Sequence, residues 1–486
     1  MSNTSATNAA PMVRTGIQRT GLWLGLLWLL ACLLLPAPGE MSLTAWRALG
    51  LMLLMATWWS TEAIPIPATA LLPIPLIPAL DLGSVSQASS PYANPIIFLF
   101  MGGFVLGLAM QRWNLHRRIA LATLLAVGSQ PRRQIGGFML ATAFLSMWVS
   151  NTATTIMMLP IGLSVLSLLD GQNPEAVKRF ATALLLAIAY AASVGGIATL
   201  IGTPPNALLA AWLAENQGIQ VGFAQWMLIG VPVAASMLLL VWWWLTRKDF
   251  GLSAETDSQS LLRAQLHELG PMGVPEQRVA LLFGLTALAW IVQPLLSGAG
   301  LAWLNDTLIA IAAALLLFIL PAGNGRDTLM DWESAAKLPW GVLLLFGGGL
   351  SLAGVISSSG LAQWIASSLG SLQALPLVLM ILLVVTVIIF LTEVTSNTAT
   401  AAAFLPLLGA LAIAQGVSPL LLTVPAAIAA SCAFMMPVAT PPNAIVFASG
   451  HLRIGQMISA GLALNIGGMA LVTLISYALV SLIFGL

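Results

Sequence analysis

The chain has 486 residues, of which 59% are hydrophobic and 7% are charged, whereas an ordinary soluble domain carries about 25% charged residues. So few charges could not cover the surface of a soluble protein of this length, so a soluble fold is excluded. The net charge of +1 points to no acidic or basic partner, and the scattered cysteines and histidines predict neither a disulfide framework nor a metal cluster.

The N-terminal segment combines a polar tail, residues 1–20, with an apolar stretch from Gly21 to Leu35. This order also resembles a secretory signal. Because many apolar segments of similar length follow, we expect an uncleaved first span and an N-terminus in the cytoplasm.

The long polar stretch at residues 247–278 predicts a cytoplasmic linker between two halves, residues 21–246 and 279–486. Both halves contain apolar runs that approach the roughly 20 residues a transmembrane helix needs. Several of these runs are interrupted by proline or glycine, which predicts broken or re-entrant segments.

Three blocks of the first half recur in the second, and such repetition indicates an internal duplication. The first two pairs are separated by 246 residues and the third by 237 residues. The pairs are Phe100-Met-Gly-Gly-Phe with Phe346-Gly-Gly-Gly-Leu, Ser150-Asn-Thr-Ala-Thr with Ser396-Asn-Thr-Ala-Thr, and Gly202-Thr-Pro-Pro-Asn-Ala with Ala439-Thr-Pro-Pro-Asn-Ala.

The arginines predict that the two halves have opposite orientations. Five arginines lie between Phe100 and Ser150, whereas the equivalent stretch from Phe346 to Ser396 has no lysine or arginine. Short loops rich in lysine and arginine stay on the cytoplasmic side, so equivalent segments face opposite sides of the membrane. Inverted repeats with broken helices are typical of secondary transporters, whose binding site lies near the midplane.

The two Ser-Asn-Thr triplets are polar sequences within apolar stretches, which is costly unless they face a cavity or are buried in protein. We expect each to form the tip of a re-entrant hairpin, near residues 135–168 and 375–415. There, free N–H groups of the new helix could hold an anion, and carbonyls of the preceding arm could coordinate a cation. The alternative is that each triplet only caps a helix.

The two Thr-Pro-Pro-Asn blocks predict broken helices near residues 202–206 and 439–443, because proline removes a backbone donor and clashes with the preceding turn. Unwound backbone in a membrane is tolerated where it lines a cavity. The alternative is a simple kink.

Glu393 lies in apolar sequence three residues before the second triplet. It could carry a proton or sodium ion, or it could be a structural partner of backbone and hydroxyl groups near the hairpin. No lysine or arginine lies between Lys337 and Arg453, so an anion there must be held by neutral donors. Bound sodium would offset the desolvation cost of several kcal/mol per charge, although proton coupling stays open.

These blocks resemble the divalent anion/sodium symporter family, as do the segments that begin at Ser60 (Ser-Thr-Glu-Ala-Ile-Pro) and Asn94 (Asn-Pro-Ile-Ile-Phe). The resemblance covers about residues 44–480. It implies an all-α membrane protein with about 11 transmembrane helices and two re-entrant hairpins in two inverted repeats. It also implies a scaffold, a transport domain that moves as an elevator, and a homodimer.

The resemblance also implies site residues. The first sodium site would comprise Ser146, Ser150, Asn151 and Gly202, and the second Thr392, Thr395, Asn397 and Ala439. The substrate would contact eight residues at the triplets and the breaks: Asn151, Thr152, Asn397, Thr398, Thr203, Thr440, Pro204 and Pro441.

The resulting hypothesis is sodium-coupled symport of C4-dicarboxylates (succinate, malate or fumarate) by a multi-pass protein of the cell inner membrane. Sodium would be the coupling ion, with no further cofactor, and we expect no nucleic-acid partner. The alternatives are a sodium-independent dicarboxylate/2-oxoglutarate exchanger, or a citrate or sulfate carrier of the same family. The apolar segments contain no HExxH or GxSxG motif, so an enzyme is not expected.

Overall fold

The computed structural model describes residues 14–169, 171–252, 258–301, 303–323, 325, 327–368 and 375–486. Most of the predicted N-terminal tail and part of the predicted linker lie outside these residues. The first helix begins at Gly16, inside the stretch assigned to the tail, because Thr15 and Gln18 form a capping box. The linker contains a helix at Ser258–Glu268.

The first half of the described chain forms twelve α-helices and a 3₁₀ helix at Ser90–Ala93. The helices are α1 (Gly16–Leu34), α2 (Leu43–Thr61), α3 (Ile66–Thr69), α4 (Pro73–Ala79), α5 (Val85–Ser89), α6 (Pro95–Arg112), α7 (Leu115–Val127), α8 (Pro131–Ser146), α9 (Asn151–Ser167), α10 (Pro174–Ile197), α11 (Pro204–Gln217) and α12 (Phe223–Thr246).

Eleven further helices follow in the described part of the linker and the second half. They are α13 (Ser258–Glu268), α14 (Val274–Gly298), α15 (Asp306–Ile319), α16 (Trp332–Ala335), α17 (Trp340–Ser358), α18 (Leu361–Ser368), α19 (Leu377–Thr392), α20 (Asn397–Ala414), α21 (Leu420–Ala429), α22 (Pro441–Ala448) and α23 (Ile454–Phe484).

The fold is all-helical, as predicted, and no described residue belongs to a β-strand. Within the described residues, eight helical segments are long and apolar enough to cross a membrane. Shorter apolar helices, among them α9 and α19, supply the half-length pieces that the interrupted runs predict. Half-length helices can pair to complete a crossing, so the number of spans can exceed the eight long segments. The predicted number, about 11, stays a prediction.

Each Ser-Asn-Thr triplet lies at a short connection between two helices that contact each other, and each such helix pair is called a hairpin below. Helix α8 ends at Ser146 and α9 begins at Asn151, while α19 ends at Thr392 and α20 begins at Asn397. Ser150 caps α9, since its hydroxyl accepts from the N–H of Ala153 over 3.3 Å. At this first tip, the Ser150 side chain therefore satisfies a donor at the N-terminus of α9.

Each hairpin also contacts a helix of the opposite half. Helix α9 of the first hairpin packs against α22, and α20 of the second hairpin packs against α11. Helix α10 is buried among the other helices, since every one of its residues from Ala183 to Ile197 is buried. Gly195 in α10 allows close approach of α8, since a Cβ atom there would overlap the backbone of Ala143.

Candidate functional site

At the first hairpin tip, three oxygen atoms from separate segments converge. Ser146 Oγ lies 2.6 Å from Asn151 Oδ1 and 2.7 Å from the carbonyl oxygen of Ala192. The hydroxyl has one hydrogen, and neither the amide oxygen nor the carbonyl has any. One proton among three oxygens leaves unused lone pairs, which is the arrangement that a cation satisfies.

Gly202 belongs to the same cluster. A Cβ atom on Gly196 would lie 2.7 Å from Asn151 Oδ1 and 3.0 Å from the carbonyl oxygen of Gly202. Both oxygens therefore lie against Gly196, a position that only glycine can occupy without a clash. The structure thus brings together Ser146, Asn151 and Gly202, three of the four residues implied for the first sodium site.

The second tip repeats the geometry of the first. Thr392 Oγ1 lies 2.6 Å from Asn397 Oδ1 and 3.0 Å from the carbonyl oxygen of Ala430. Residues 392 and 397 lie 246 positions after residues 146 and 151, so the duplication visible in the sequence extends to individual hydrogen bonds. Thr395 is engaged within the hairpin, because its hydroxyl donates to the Leu391 carbonyl over 2.8 Å.

The helix breaks adjoin the tips and are held by two equivalent asparagines. Asn206 Nδ2 donates to the carbonyls of residues 196, 197 and 199 over 3.1, 3.3 and 2.8 Å. Asn443 Nδ2 donates to the carbonyls of residues 433 and 436 over 3.2 and 3.0 Å. Carbonyls at a helix end lack intrahelical partners, so these buried amides supply donors to carbonyls at the end of the preceding helix and in the unwound segment.

The backbone before each proline pair has the same extended conformation. Thr203 has φ −144° and ψ 142°, and Thr440 has φ −140° and ψ 149°. Residues before proline are disfavoured in the helical region, so each threonine ends the unwound segment. Pro204 and Pro441 are then the first residues of α11 and α22, where a missing N–H has no cost.

The two halves meet directly at their breaks. Thr203 Oγ1 of the first break lies 3.5 Å from Ser431 Oγ. Tyr190 of α10 donates to the Phe434 carbonyl over 2.7 Å. Thr203 and Thr440 are buried, whereas Thr152 and Thr398, the second residues of α9 and α20, are half-buried.

Glu393 is a buried hydrogen-bond acceptor. Its carboxylate accepts the N–H groups of Phe434, Met435 and Met436 over 2.8–3.0 Å and the amide of Asn465 over 2.7 Å. Ionised carboxylates accept charge-assisted hydrogen bonds of this kind. Of the two roles predicted from the sequence, this geometry favours that of a partner for the backbone.

Comparison with known proteins places this architecture in a family. A sequence model described as the sodium:sulfate symporter transmembrane region matches residues 18–486. The chain belongs to this family. The resemblance read from the paired Ser-Asn-Thr triplets, to the divalent anion/sodium symporters, is therefore confirmed.

Two relatives of this chain are named as sodium-dependent dicarboxylate transporters. The sodium-dependent dicarboxylate transporter SdcS of Staphylococcus aureus strain USA300 is 45% identical over 483 residues, covering 96% of this chain and 92% of SdcS. SdcS of strain bovine RF122 / ET3-1 is 44% identical with the same coverage. The protein is accordingly a transporter homologue and not an enzyme.

A solved structure shares the fold. The YdaH transporter of Alcanivorax borkumensis, whose crystal structure was described as having an unusual topology, aligns with a TM-score of 0.56 at 16% identity. The alignment covers 97% of this chain and 99% of that chain. At this identity the likeness concerns the fold alone.

Several residues that contribute atoms to the candidate site of this chain have little or no signal in the sequence. Ala192 and Ala430 contribute backbone carbonyls, and alanine in an apolar helix predicts no role. Asn206 and Asn443 stand inside the repeated Thr-Pro-Pro-Asn block, so the repetition itself was a signal for them. Asn465 is a polar residue in the middle of an apolar span, which marks it as a candidate for a buried partner.

Proposed function

We propose that this protein couples the inward movement of sodium to the uptake of C4-dicarboxylates such as succinate, malate and fumarate. The observation that carries the proposal is the repeated cluster at Ser146–Asn151 and Thr392–Asn397, where acceptor oxygens outnumber hydrogens. The 45% identity with SdcS favours a dicarboxylate over sulfate, although the family's description names sulfate.

Sodium is assigned to one site at each tip. The first comprises Ser146, Ser150, Asn151 and Gly202, and the second comprises Thr392, Thr395, Asn397 and Ala439. Unwound carbonyls and the C-terminal ends of half-helices coordinate sodium in transporters with broken helices. Supporting this, α8 and α19 end at the tips, and the Gly202 carbonyl faces Asn151 across Gly196.

The dicarboxylate is assigned to the space between the two tips. Asn151 and Thr152 begin α9, and Asn397 and Thr398 begin α20, so helix N-termini are available to the two carboxylates. Thr203, Thr440, Pro204 and Pro441 would border the substrate at the breaks. Neutral donors suffice because the sodium ions compensate much of the substrate's charge.

The repeated packing supports transport by alternating access. We propose that the halves, residues 21–246 and 279–486, are inverted repeats joined by the cytoplasmic linker at 247–278. Each would contribute a hairpin and a broken helix to a mobile transport domain, which moves as an elevator against scaffold helices in a homodimer. The protein would lie in the cell inner membrane with its N-terminus in the cytoplasm, the side that its arginine-rich loops favour.

The test is uptake of radiolabelled succinate by proteoliposomes with and without an inward sodium gradient. We expect uptake above the equilibrium level only with the gradient, and competition by unlabelled malate and fumarate. Equal uptake under both conditions excludes sodium coupling, and counterflow with internal substrate then identifies an exchanger. Inhibition by sulfate, citrate or 2-oxoglutarate but not by malate would instead assign the protein to another carrier class.

A further inference from the structure

A cavity of about 290 Å³ lies away from the hairpin tips, between the N-terminal ends of α10 and α23 and the C-terminal end of α12. Its lining includes three cationic side chains, Arg179, Arg247 and Lys248, against one carboxylate, Asp249. Among the described residues, none of the three cations takes part in an ion pair. Within the described part of the chain, the cavity lining is therefore electropositive, with three cationic side chains against one carboxylate.

Two of the three cations are placed by contacts within the cavity wall. Arg179 Nη2 donates to the carbonyl of Phe250 over 3.1 Å, which leaves its other donors available. The guanidinium of Arg247 lies over the ring of Trp244, 3.2 Å from the centroid. Guanidinium groups held in a fixed plane suit the paired oxygens of a phosphate.

Neutral polar groups complete the lining. Gln456 Nε2 donates to Thr182 Oγ1 over 3.0 Å, joining α23 to α10, and Ser459 lies one turn further along α23. Thr182 and Ser459 donate their hydroxyl hydrogens to the carbonyls of Lys178 and Gln456, so their oxygens can accept hydrogen bonds from hydroxyls of a polar headgroup. An anion with attached hydroxyls is a better match than a bare inorganic ion.

The surface beside the cavity is apolar and exposed. On α23, Leu462 and Ile466 follow Ser459 at positions i+3 and i+7, so they share its face, and they are 39% and 55% exposed. On α12, Trp243 is also exposed, and tryptophan is typical of the membrane–water interface. An acyl chain could lie along this face while its phosphate occupies the cavity.

We propose that this cavity binds the headgroup of an anionic phospholipid. The site lies where lysine and arginine cluster at helix ends, on the side that the positive-inside rule assigns to the cytoplasm. Basic pockets between transmembrane helices on that side bind phosphate headgroups. This proposal is independent of the substrate and of sodium coupling.

The test is native mass spectrometry of the detergent-solubilised full chain, titrated with phosphatidylglycerol or phosphatidylcholine of identical acyl chains. We expect preferential binding of phosphatidylglycerol. The double variant Arg247→Gln/Lys248→Gln should bind it about 30-fold more weakly, and Lys248→Gln alone about fivefold more weakly. The single variant keeps the test valid if the double variant does not fold.

The matched control is Arg132→Gln/Arg133→Gln, which removes the same charge from residues outside the cavity lining and should leave phosphatidylglycerol binding unchanged. Equal binding of the two lipids, or equal losses in both double variants, would overturn the proposal. Glycerol 3-phosphate provides a headgroup without acyl chains. If glycerol 3-phosphate binds as tightly as phosphatidylglycerol, the cavity is a site for free anions, and the proposal of a lipid site is overturned.

Discussion

Asn465 Nδ2 donates a hydrogen bond of 2.7 Å to Glu393 Oε1, across 72 positions of the sequence. This bond joins the middle of α23 to the end of the first arm of the second hairpin. The same carboxylate accepts three backbone N–H groups from residues 434–436. Glu393 therefore fixes the unwound segment that leads to Ala439 and Thr440.

Replacing Glu393 with glutamine should weaken the response to sodium. The new amide nitrogen cannot accept, so at least one buried N–H loses its partner at a cost of about 1–3 kcal/mol. We expect a several-fold higher sodium concentration for half-maximal succinate uptake. Glu175→Gln is the control, since that carboxylate is 77% exposed. If succinate uptake by Glu393→Gln depends on sodium as in the wild type, the Glu393 carboxylate does not fix the segment that leads to Ala439.

Alanine at either tip asparagine should abolish transport. Asn151→Ala and Asn397→Ala each remove an oxygen from the clusters with Ser146 and Thr392. Losing an interaction with a charged ligand of about 3 kcal/mol corresponds to an about 100-fold lower uptake rate. Folding should persist, as size-exclusion chromatography would show. Wild-type uptake by either variant would disprove the site assignment.

The break asparagines should matter more for stability than an asparagine bonded within its own helix. Asn206→Ala removes the amide donor of the Gly196 carbonyl, and Asn443→Ala that of the Ala433 carbonyl, each at a cost of about 1–3 kcal/mol. Asn216→Ala loses one bond within its own helix. Thermal unfolding in detergent should show a larger loss for Asn206→Ala and for Asn443→Ala than for Asn216→Ala. A midpoint for Asn206→Ala equal to that of Asn216→Ala would contradict the interpretation.

Gly195→Ala should displace the first hairpin. Its Cβ atom would overlap backbone atoms of Ala143, which no side-chain rotation can relieve, and overpacking of this kind costs about 3 kcal/mol. The control Gly354→Ala has no neighbouring atom within 4 Å of the new methyl group, so alanine should be neutral or slightly stabilising there. Thermal unfolding distinguishes the two, and equal midpoints would show that α8 and α10 can separate.

The sequence predicts the features that depend on local chemistry. The triplets and the proline pairs lie where one helix has ended and the next begins, because proline and helix-capping residues act on neighbouring backbone. The acceptor carbonyls of Ala192 and Ala430 could not be found this way, since their direction depends on where α10 and α21 pack. The hydrogen bond between Asn465 and Glu393 could not be predicted from the sequence either, because it forms only when α19 and α23 pack together.

The contacts of α9 with α22 and of α11 with α20 mean that each hairpin packs partly on its own half of the chain and partly on the other. Helix α9, for example, also packs against α10 of its own half. The surface that supports each hairpin is therefore complete only when both halves have been synthesised and inserted into the membrane.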